Sequence, residues 1–593
     1  MSSSDKLCIN EVSDMFPTNA LYETYCFSPK TRVEMRMLKA SVFIRSASEW
    51  AEQLNDESKR QEWATEVKDT LKLTDREVEY VFRELKYYAQ LKANGVDGEE
   101  LAAMEGVWIN ASTSDSDLAK EFRNNAVVLE NDFVKAYSDE ASAASSTGLR
   151  ALVDPFLYPL MTKESHILTK PIGSPEDSLN PELSSIKPES LMDWHQTVKD
   201  INDPKYTNED IRGKRRKLAL NRKYPSCLLN ELYGCWLPTY FDVGRDGSVT
   251  IRSYINNLHP TRYAALYQTI SKVFAKFVPL LEQVATDLIC PRAPRVVFDR
   301  DECFEPGVFN PYKLYNMAKQ GVTIPEEYRK FVANSEAYAY DRTGHAIANI
   351  NGVELDMTEI ENAYEKAEVY TEPVPRTFYP SNRPIKPFSM RGLPLQASVE
   401  MSSISLTPEN PTHAEGEWQA IGRAEERVFA VGLYFYDVEN VASPKLKFRD
   451  PVWRSLFFNP RDFKDFCASH DIVSTLDPYH SCVYTQEVGE VELKSGSYVC
   501  YPNYYQTKMP SFELADPTRP GHVKYIAFYI ADPLYRLIST EIVPPQQPDW
   551  TGTTSSFEAT ADAIRNMERL KLSHSTSTRN ESRFRPKLHT GDY

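Results

Sequence analysis

A handful of residues in this chain are of the type and spacing that chemistry needs. His413 and Glu415 form a His-x-Glu pair, and His470, Asp471, Asp477 and His480 crowd into one short stretch. Imidazole and carboxylate suit a divalent metal, and either can carry a proton near neutral pH. Irregularly spaced polar residues are also what a solvated loop contains, so both groups stand open between a metal site and a loop. Tyr434, Tyr436, Tyr501, Tyr504, Tyr505 and Phe528 lie in apolar runs as candidates to line a pocket, with strand alternation turning only some of them inward. Lys524 is the cation of the last run, placed either to meet a ligand carboxylate or to sit on the surface. Lys524, Tyr436 and Tyr505 are thus the candidate acid–base residues. Other signatures are missing: the chain has no Gly-x-Ser-x-Gly, no Walker loop and no His-Glu-x-x-His.

Composition narrows the classes. The 593 residues are 26% charged and 41% hydrophobic, a globular mixture too long for one core. A net charge of −16 repels phosphate backbones, so no nucleic-acid partner is expected. Nine cysteines without a Cys-x-x-Cys pair imply neither a disulfide framework nor a zinc site, and Cys482 and Cys500 are expected as buried, inert thiols. No apolar run is long enough for a membrane span, and MSSSDKLCINEV is not a secretory signal, so the expected location is cytoplasmic. The basic run Arg212–Lys217 is either a nuclear-import signal or a solvated loop.

The elements that would position these residues follow from periodicity. Residues 30 to 140 read as helical; Thr74 and Glu77 have capping-box spacing, and Val78, Val81, Phe82 and Leu85 make one apolar face. Residues 139 to 148 and 171 to 225 read as loops. A helix is predicted from Tyr263 to Ile289, with Leu266, Ile270, Val273, Phe274 and Phe277 on one face and Pro279 kinking or splitting it. From Leu395 onward, "LQASVEMSSISL", "RVFAVGLYFY", "EVELKSGSYVCYP" and "VKYIAFYI" read as strands of a sandwich or jelly roll. The expected division is 1–145 helical, 146–390 mixed with proline-rich connectors, 391–550 a β barrel and 551–593 a polar tail.

Seven segments then carry a resemblance. In order they are "ALVDPFLYPL" (151–160), "SYINNLHP" (253–260), "SLTPENP" (405–411), "LYFYDVENV" (433–441), "YPNYYQTKM" (501–509), "ADPTRPGHVKYIAFYIADP" (515–533) and "STEIVPPQQPDW" (539–550). They resemble a large fungal family carried as domain of unknown function 4246. The resemblance implies an α+β protein: a helical N-terminal region packed on a double-stranded β-helix, the jelly-roll barrel of Fe(II)/2-oxoglutarate oxygenases. It also implies a Trp-His-x-Glu-Gly segment, a later Tyr-Gln-His, and a Gly-His-Arg-Lys whose arginine meets the 2-oxoacid. In this chain Trp418 and Gly422 remain. Gln419, Ile421 and Thr507 stand where the resemblance implies the two histidines and the carboxylate, and Val523 stands where it implies the arginine.

An amide, an alkyl group and a hydroxyl make a poor iron site. The expectation is therefore a metal-depleted, oxygenase-like protein of small-molecule, secondary-type metabolism, with no Fe(II) and no 2-oxoglutarate. Its ligand would be apolar or carboxylate-bearing, with Lys524 as the carboxylate contact and His522 as a structural residue bonded to backbone. The alternatives are a non-catalytic scaffold that takes a protein partner through the helical region, and an active oxygenase using His413, Glu415 or His480 as ligands.

Overall fold

The structure is a computed structural model. It describes residues 29–47, 49–93, 101–111, 117–136, 149–161, 165–185, 235–289, 294–296, 369–378, 388–419, 421–422, 426–452, 469–475, 483–533 and 536–551, with two-residue ribbon pieces between 304 and 354. Arg212–Lys217, Asp477, His480, Cys482 and the segment after 551 lie outside the described residues.

The chain opens on four helices: α1 (Arg32–Arg45), α2 (Trp50–Gln53), α3 (Glu57–Leu71) and α4 (Asp75–Ala93). The capping box at α4 is formed, with the Thr74 amide donating to Glu77 at 2.8 Å and the Glu77 amide to the Thr74 hydroxyl at 3.4 Å. The apolar stripe below it, Val78, Val81 and Leu85, buries against Val33, Ile44, Trp50 and Trp63. One buried cation ties this bundle to a later segment. Arg295 ion-pairs with Glu84 at 2.9 Å and Glu34 at 3.6 Å, and its amide donates to Glu34 at 3.0 Å.

The helical reading of residues 30 to 140 does not hold throughout. A hairpin, β1 (Leu101–Met104) and β2 (Val107–Ala111), interrupts it before α5 (Asp117–Ala136). Val107, Trp108 and Ile109 suit a pleated surface, and β2 adds to the edge of a large sheet, a tertiary partner that local periodicity does not reveal. Further on come β3 (Leu149–Val153), β4 (Thr239–Val243), β5 (Val249–Ile251) and the long α6 (Ala264–Ile289). Pro279 lies inside α6 without splitting it, and all five residues expected on its apolar face are buried.

The remaining strands are β6 (Pro394–Leu406), β7 (Thr412–His413), β8 (Val428–Glu439), β9 (Lys445–Val452), β10 (Val473–Thr475), β11 (Val483–Glu492), β12 (Ser497–Pro502), β13 (Gln506–Lys508), β14 (Phe512–Glu513) and β15 (Gly521–Ala531). They form two principal antiparallel sheets. The large one runs β1-β2-β12-β8-β15-β6-β4-β5, with β3 also on β6; the small one runs β10-β11-β9-β13. The molecule is thus mixed helix and sheet. Among the described residues the two sheets share no ladder, so the expected barrel is not closed. Successive strands do change sheet: β6 large, 412–419 beside β13, β8 large, β9 and β11 small, β12 large, β13 small, β15 large.

Both faces of the large sheet are buried, and each has its own core. On one face α6 presses an aromatic layer onto the strands: Phe274 stacks on Phe241 at 4.2 Å between centroids, and Phe274 and Phe277 meet Phe528 edge-on. On the other, Val431, Phe435, Val499, Tyr501, Ala527 and Tyr529 meet Phe448 and Leu446 of the small sheet. Three of the family-like segments close a clasp at one end. Gln547 donates to the side-chain oxygens of Asn256 and Asn257 at 3.0 and 2.8 Å, and Gln546 to the carbonyls of Tyr158 and Pro159, both at 2.8 Å.

Gly432, in the middle of β8, lets α6 come close: a Cβ there would stand 2.9 Å from the Phe277 ring. Gly432→Ala should destabilise the fold by about 1–3 kcal/mol, read by chemical denaturation, because the ring has packed neighbours on its other side.

Candidate functional site

The site is built around the segment 415–422. Gln419 and Thr507 stand directly opposite each other, exchanging both backbone hydrogen bonds at 2.9 and 3.0 Å. Such a pair projects its side chains from the same face. On β9, Phe448 lies beside Thr507 in register. Phe448 and Thr507 turn into the space between the sheets, where the Thr507 hydroxyl sits against the Tyr501 phenol. Ile421 is half-buried against the same core, while Gln419 is exposed at its rim. Gln419 and Thr507 therefore face each other, with Ile421 two residues along the same segment.

Trp418 points the other way. Its ring lies between two cations, Arg449 at 4.6 Å and Lys508 at 4.8 Å, on the outside of the small sheet. Each contact is worth about 0.5–2 kcal/mol. Gly422 holds φ at +71°, and a Cβ would meet Val428 Cγ2 at 3.1 Å, so the turn into β8 needs glycine. Asn503 fastens that turn, donating to the carbonyls of Ile421 at 2.7 Å and Val428 at 2.9 Å. Both surviving motif residues have jobs in folding.

The acid–base candidates separate. Strand alternation puts His522, Lys524, Ile526 and Phe528 on the α6 face, and Val523, Tyr525, Ala527 and Tyr529 between the sheets. Lys524 is therefore not the cation of the inter-sheet space; it pairs with Glu130 of α5 at 2.8 Å. Tyr436 shares that glutamate, donating at 3.0 Å. Tyr505 is on the opposite side of the sheet, ring against Tyr504 at 4.3 Å, its hydroxyl donating to the Glu105 carbonyl. Tyr434 and Phe528 face α6, while Tyr501, Tyr504 and Tyr505 face the small sheet. His522 is bonded to a carboxylate rather than to backbone, with Nε2 2.7 Å from Asp437. Burial raises the Asp437 pKa, but the His522 hydrogen bond and the His522, Lys524 and Arg123 charges together leave it below the ordinary value.

The alternate metal ligands among the described residues have other partners. His413 is buried with its ring against Phe512 at 4.8 Å, and Glu415 is exposed and paired with Lys508. His470 is buried beside the Ser469 hydroxyl at 2.8 Å, and Asp471 pairs with Arg32. Among the described residues no three of His, Cys, Asp and Glu could hold a metal ion. The donor set Gln419, Ile421 and Thr507 does not fit ferrous iron, since it supplies neither imidazole nor carboxylate. Cys500 is fully buried, and burial pushes its thiol pKa up.

Two carboxyls that were not singled out in the sequence do enter the inter-sheet space. Glu400 of β6 accepts from Tyr529 and Ser402, both at 2.7 Å. Asp450 of β9 follows Leu446 and Phe448 at two-residue spacing onto the apolar face, 5% exposed. Burial pushes its pKa up to about 7, against the lowering charge of Lys30 and with the raising charge of Glu105. The signal was the strand period: an acid in phase with two core residues of "KLKFRDPV".

Comparison with known proteins places the chain. The family described as "Protein of unknown function (DUF4246)" matches residues 75–554. The chain belongs to this family. No curated protein matches. Among solved structures, similarity is low. For IDO from Bacillus thuringiensis identity is 8% and TM-score 0.15, over 23% of this chain and 46% of that one. For the Fe(II)/(alpha)ketoglutarate-dependent dioxygenase TqaL the values are 9% and 0.14, over 26% and 47%. For a bsmA homolog from Methylobium petroleophilum PM1 they are 13% and 0.14, over 27% and 57%. Each match spans about half of the other protein. No described helix is long and apolar enough to cross a membrane.

A buried acid whose pKa is raised on folding binds its proton more tightly in the folded than in the unfolded chain. Its contribution to stability is then greatest below about pH 4 and declines as pH rises towards the folded value near 7. Asp450→Asn should flatten this decline in melts between pH 5 and 8. At pH 8 the variant should gain on the order of 2 kcal/mol over the wild type, and at pH 4 little.

Proposed function

We propose that this protein is a jelly-roll descendant of the Fe(II)/2-oxoglutarate oxygenase type that handles a small molecule between its two sheets without either cofactor. The observation that carries the reading is the facing pair Gln419 and Thr507, with Ile421 beside them: the three positions that the family resemblance assigns to iron are brought together and carry no iron donors. The sheet-to-sheet alternation of β6, 412–419, β8, β9, β11, β12, β13 and β15 supports the jelly-roll reading. The inward positions of β15, namely Val523, Tyr525, Ala527 and Tyr529, supply no cation for a 2-oxoacid.

What the space offers instead is acidic and phenolic. Glu400, held by Ser402 and Tyr529, would accept hydrogen bonds from a donor group on the ligand. Asp450, with a pKa near working pH, has the property required of a proton donor or acceptor. A neutral or hydrogen-bond-donating ligand fits these groups better than a carboxylate does. Acid–base chemistry on a small metabolite of the secondary type is the corresponding activity, with Asp450 the residue that exchanges the proton.

Metal analysis of freshly purified protein, with 2-oxoglutarate titrated calorimetrically in Fe(II) under argon, tests this. The wild type should hold no iron and give no heat. The triple variant Gln419→His, Ile421→Glu, Thr507→His should retain near-stoichiometric iron, because the frame around those positions is intact. Iron-dependent 2-oxoglutarate binding by the wild type would overturn the cofactor-free reading. A folded triple variant that holds no iron would overturn the oxygenase-type placement of the three positions.

A further inference from the structure

The α6 face of the large sheet is not completely covered. Beside the C-terminal turns of α5 lies a half-open cavity of about 270 Å³. Its floor is laid down by strand register. Arg150 of β3 stands opposite Ser403 of β6, Ser403 opposite Lys524 of β15, and Lys524 opposite Asp437 of β8. Directly opposed residues project from one face about 5 Å apart, so a cation, a hydroxyl, a second cation and a carboxylate cross four strands in a row.

Most of the charges in this row already have partners. Lys524 is 2.8 Å from Glu130 and 3.6 Å from Asp437, and His522 is 2.7 Å from Asp437. Arg150 differs. It lines the cavity half-buried, and among the described residues no carboxylate lies within ion-pairing distance of it. Ser403 beside it is only 7% exposed, and its hydroxyl has no hydrogen-bond partner among the described residues. The Ser403 hydroxyl and the half-buried Arg150 guanidinium thus stand side by side at the same half-open cavity, each available to a ligand oxygen. The opposing wall is apolar: Phe133 and Val134 of α5, with Pro520.

We infer that this cavity binds a small organic monoanion with an apolar body, its carboxylate on Arg150 and Ser403 and its body along Phe133, Val134 and Pro520. The charge follows from the floor, where Arg150 is a cation without a counter-charge among the described residues; a dianion such as phosphate would need a second, and Lys524 is neutralised by Glu130. A planar guanidinium also takes a carboxylate in two parallel hydrogen bonds. The site lies on the opposite face of the sheet from Gln419 and Thr507, so it stands or falls independently of the inter-sheet reading.

Octanoate is the probe, titrated calorimetrically into the full-length protein, with 1-octanol and inorganic phosphate as counter-probes. Octanoate should bind, and Arg150→Gln should weaken it by about tenfold or more, as expected for loss of a charged hydrogen-bonding pair. Should Arg150→Gln fail to fold, Val134→Asp carries the test, since Val134 is on the exposed rim and an acid there should repel the probe severalfold. Absence of octanoate binding at millimolar concentration would overturn the proposal. So would affinity unchanged in a folded variant, octanol binding as tightly as octanoate, which would make the cleft merely apolar, or phosphate binding as tightly, which would make the floor a general anion site.

Discussion

Everything in this molecule depends on a sheet whose strands are buried on both sides. In β15 the side chains of Ile526, Phe528 and Ile530 enter the core beneath α6, while Val523, Ala527 and Tyr529 enter the core against the small sheet. A one-residue slip would exchange the two sets. The aromatic layer of Phe241, Phe274, Phe277 and Phe528 and the inter-sheet layer of Phe448, Tyr501 and Tyr505 hold the register from opposite sides. The site inherits its geometry from that constraint, because parity alone decides which polar residues share a compartment.

Parity also explains why the sequence was readable in some places and not in others. The strands from Leu395 onward, the capped α4 and the buried α6 show their periods locally. The pairing of Gln419 with Thr507 joins two segments that the sequence reading had linked only through a resemblance. Lys524 was left open for want of one piece of information, the phase of β15. That strand is apolar on both sides, so its pattern does not say which face Lys524 takes. Asp450 was the reverse case: its phase with Leu446 and Phe448 could be read directly, but an acid between a basic residue and a proline reads first as a turn. The hairpin β1–β2 could not be read at all from its neighbourhood, since its reason for existing is the free edge of β12 far along the chain.

The polar residues divide into those that close the fold and those left facing space. Gln547 ties the C-terminal end of the described fold to Asn256 and Asn257 in the middle of the chain, and Arg295 binds α1 and α4 through Glu34 and Glu84. Removing one member of such a buried ion cluster costs about 3–5 kcal/mol, as it strands the others. Glu400, Asp450, Arg150 and Ser403 belong to the second group. Two are acids between the sheets; the other two are a cation and a hydroxyl on the far side. The large sheet thus separates two sets of polar groups, one on each face.

Trp418, held between Arg449 and Lys508, bears on how relatedness and activity part company. A motif that begins on this tryptophan and ends on Gly422 records two contributions to a turn. Selection that keeps the turn keeps both letters, whatever stands between them. The residues between them make no such contribution, so a match at the two ends of the outline carries no information about the chemistry between them. In this chain the outline is a record of shape, and the vocabulary of any reaction has to be sought in residues outside it.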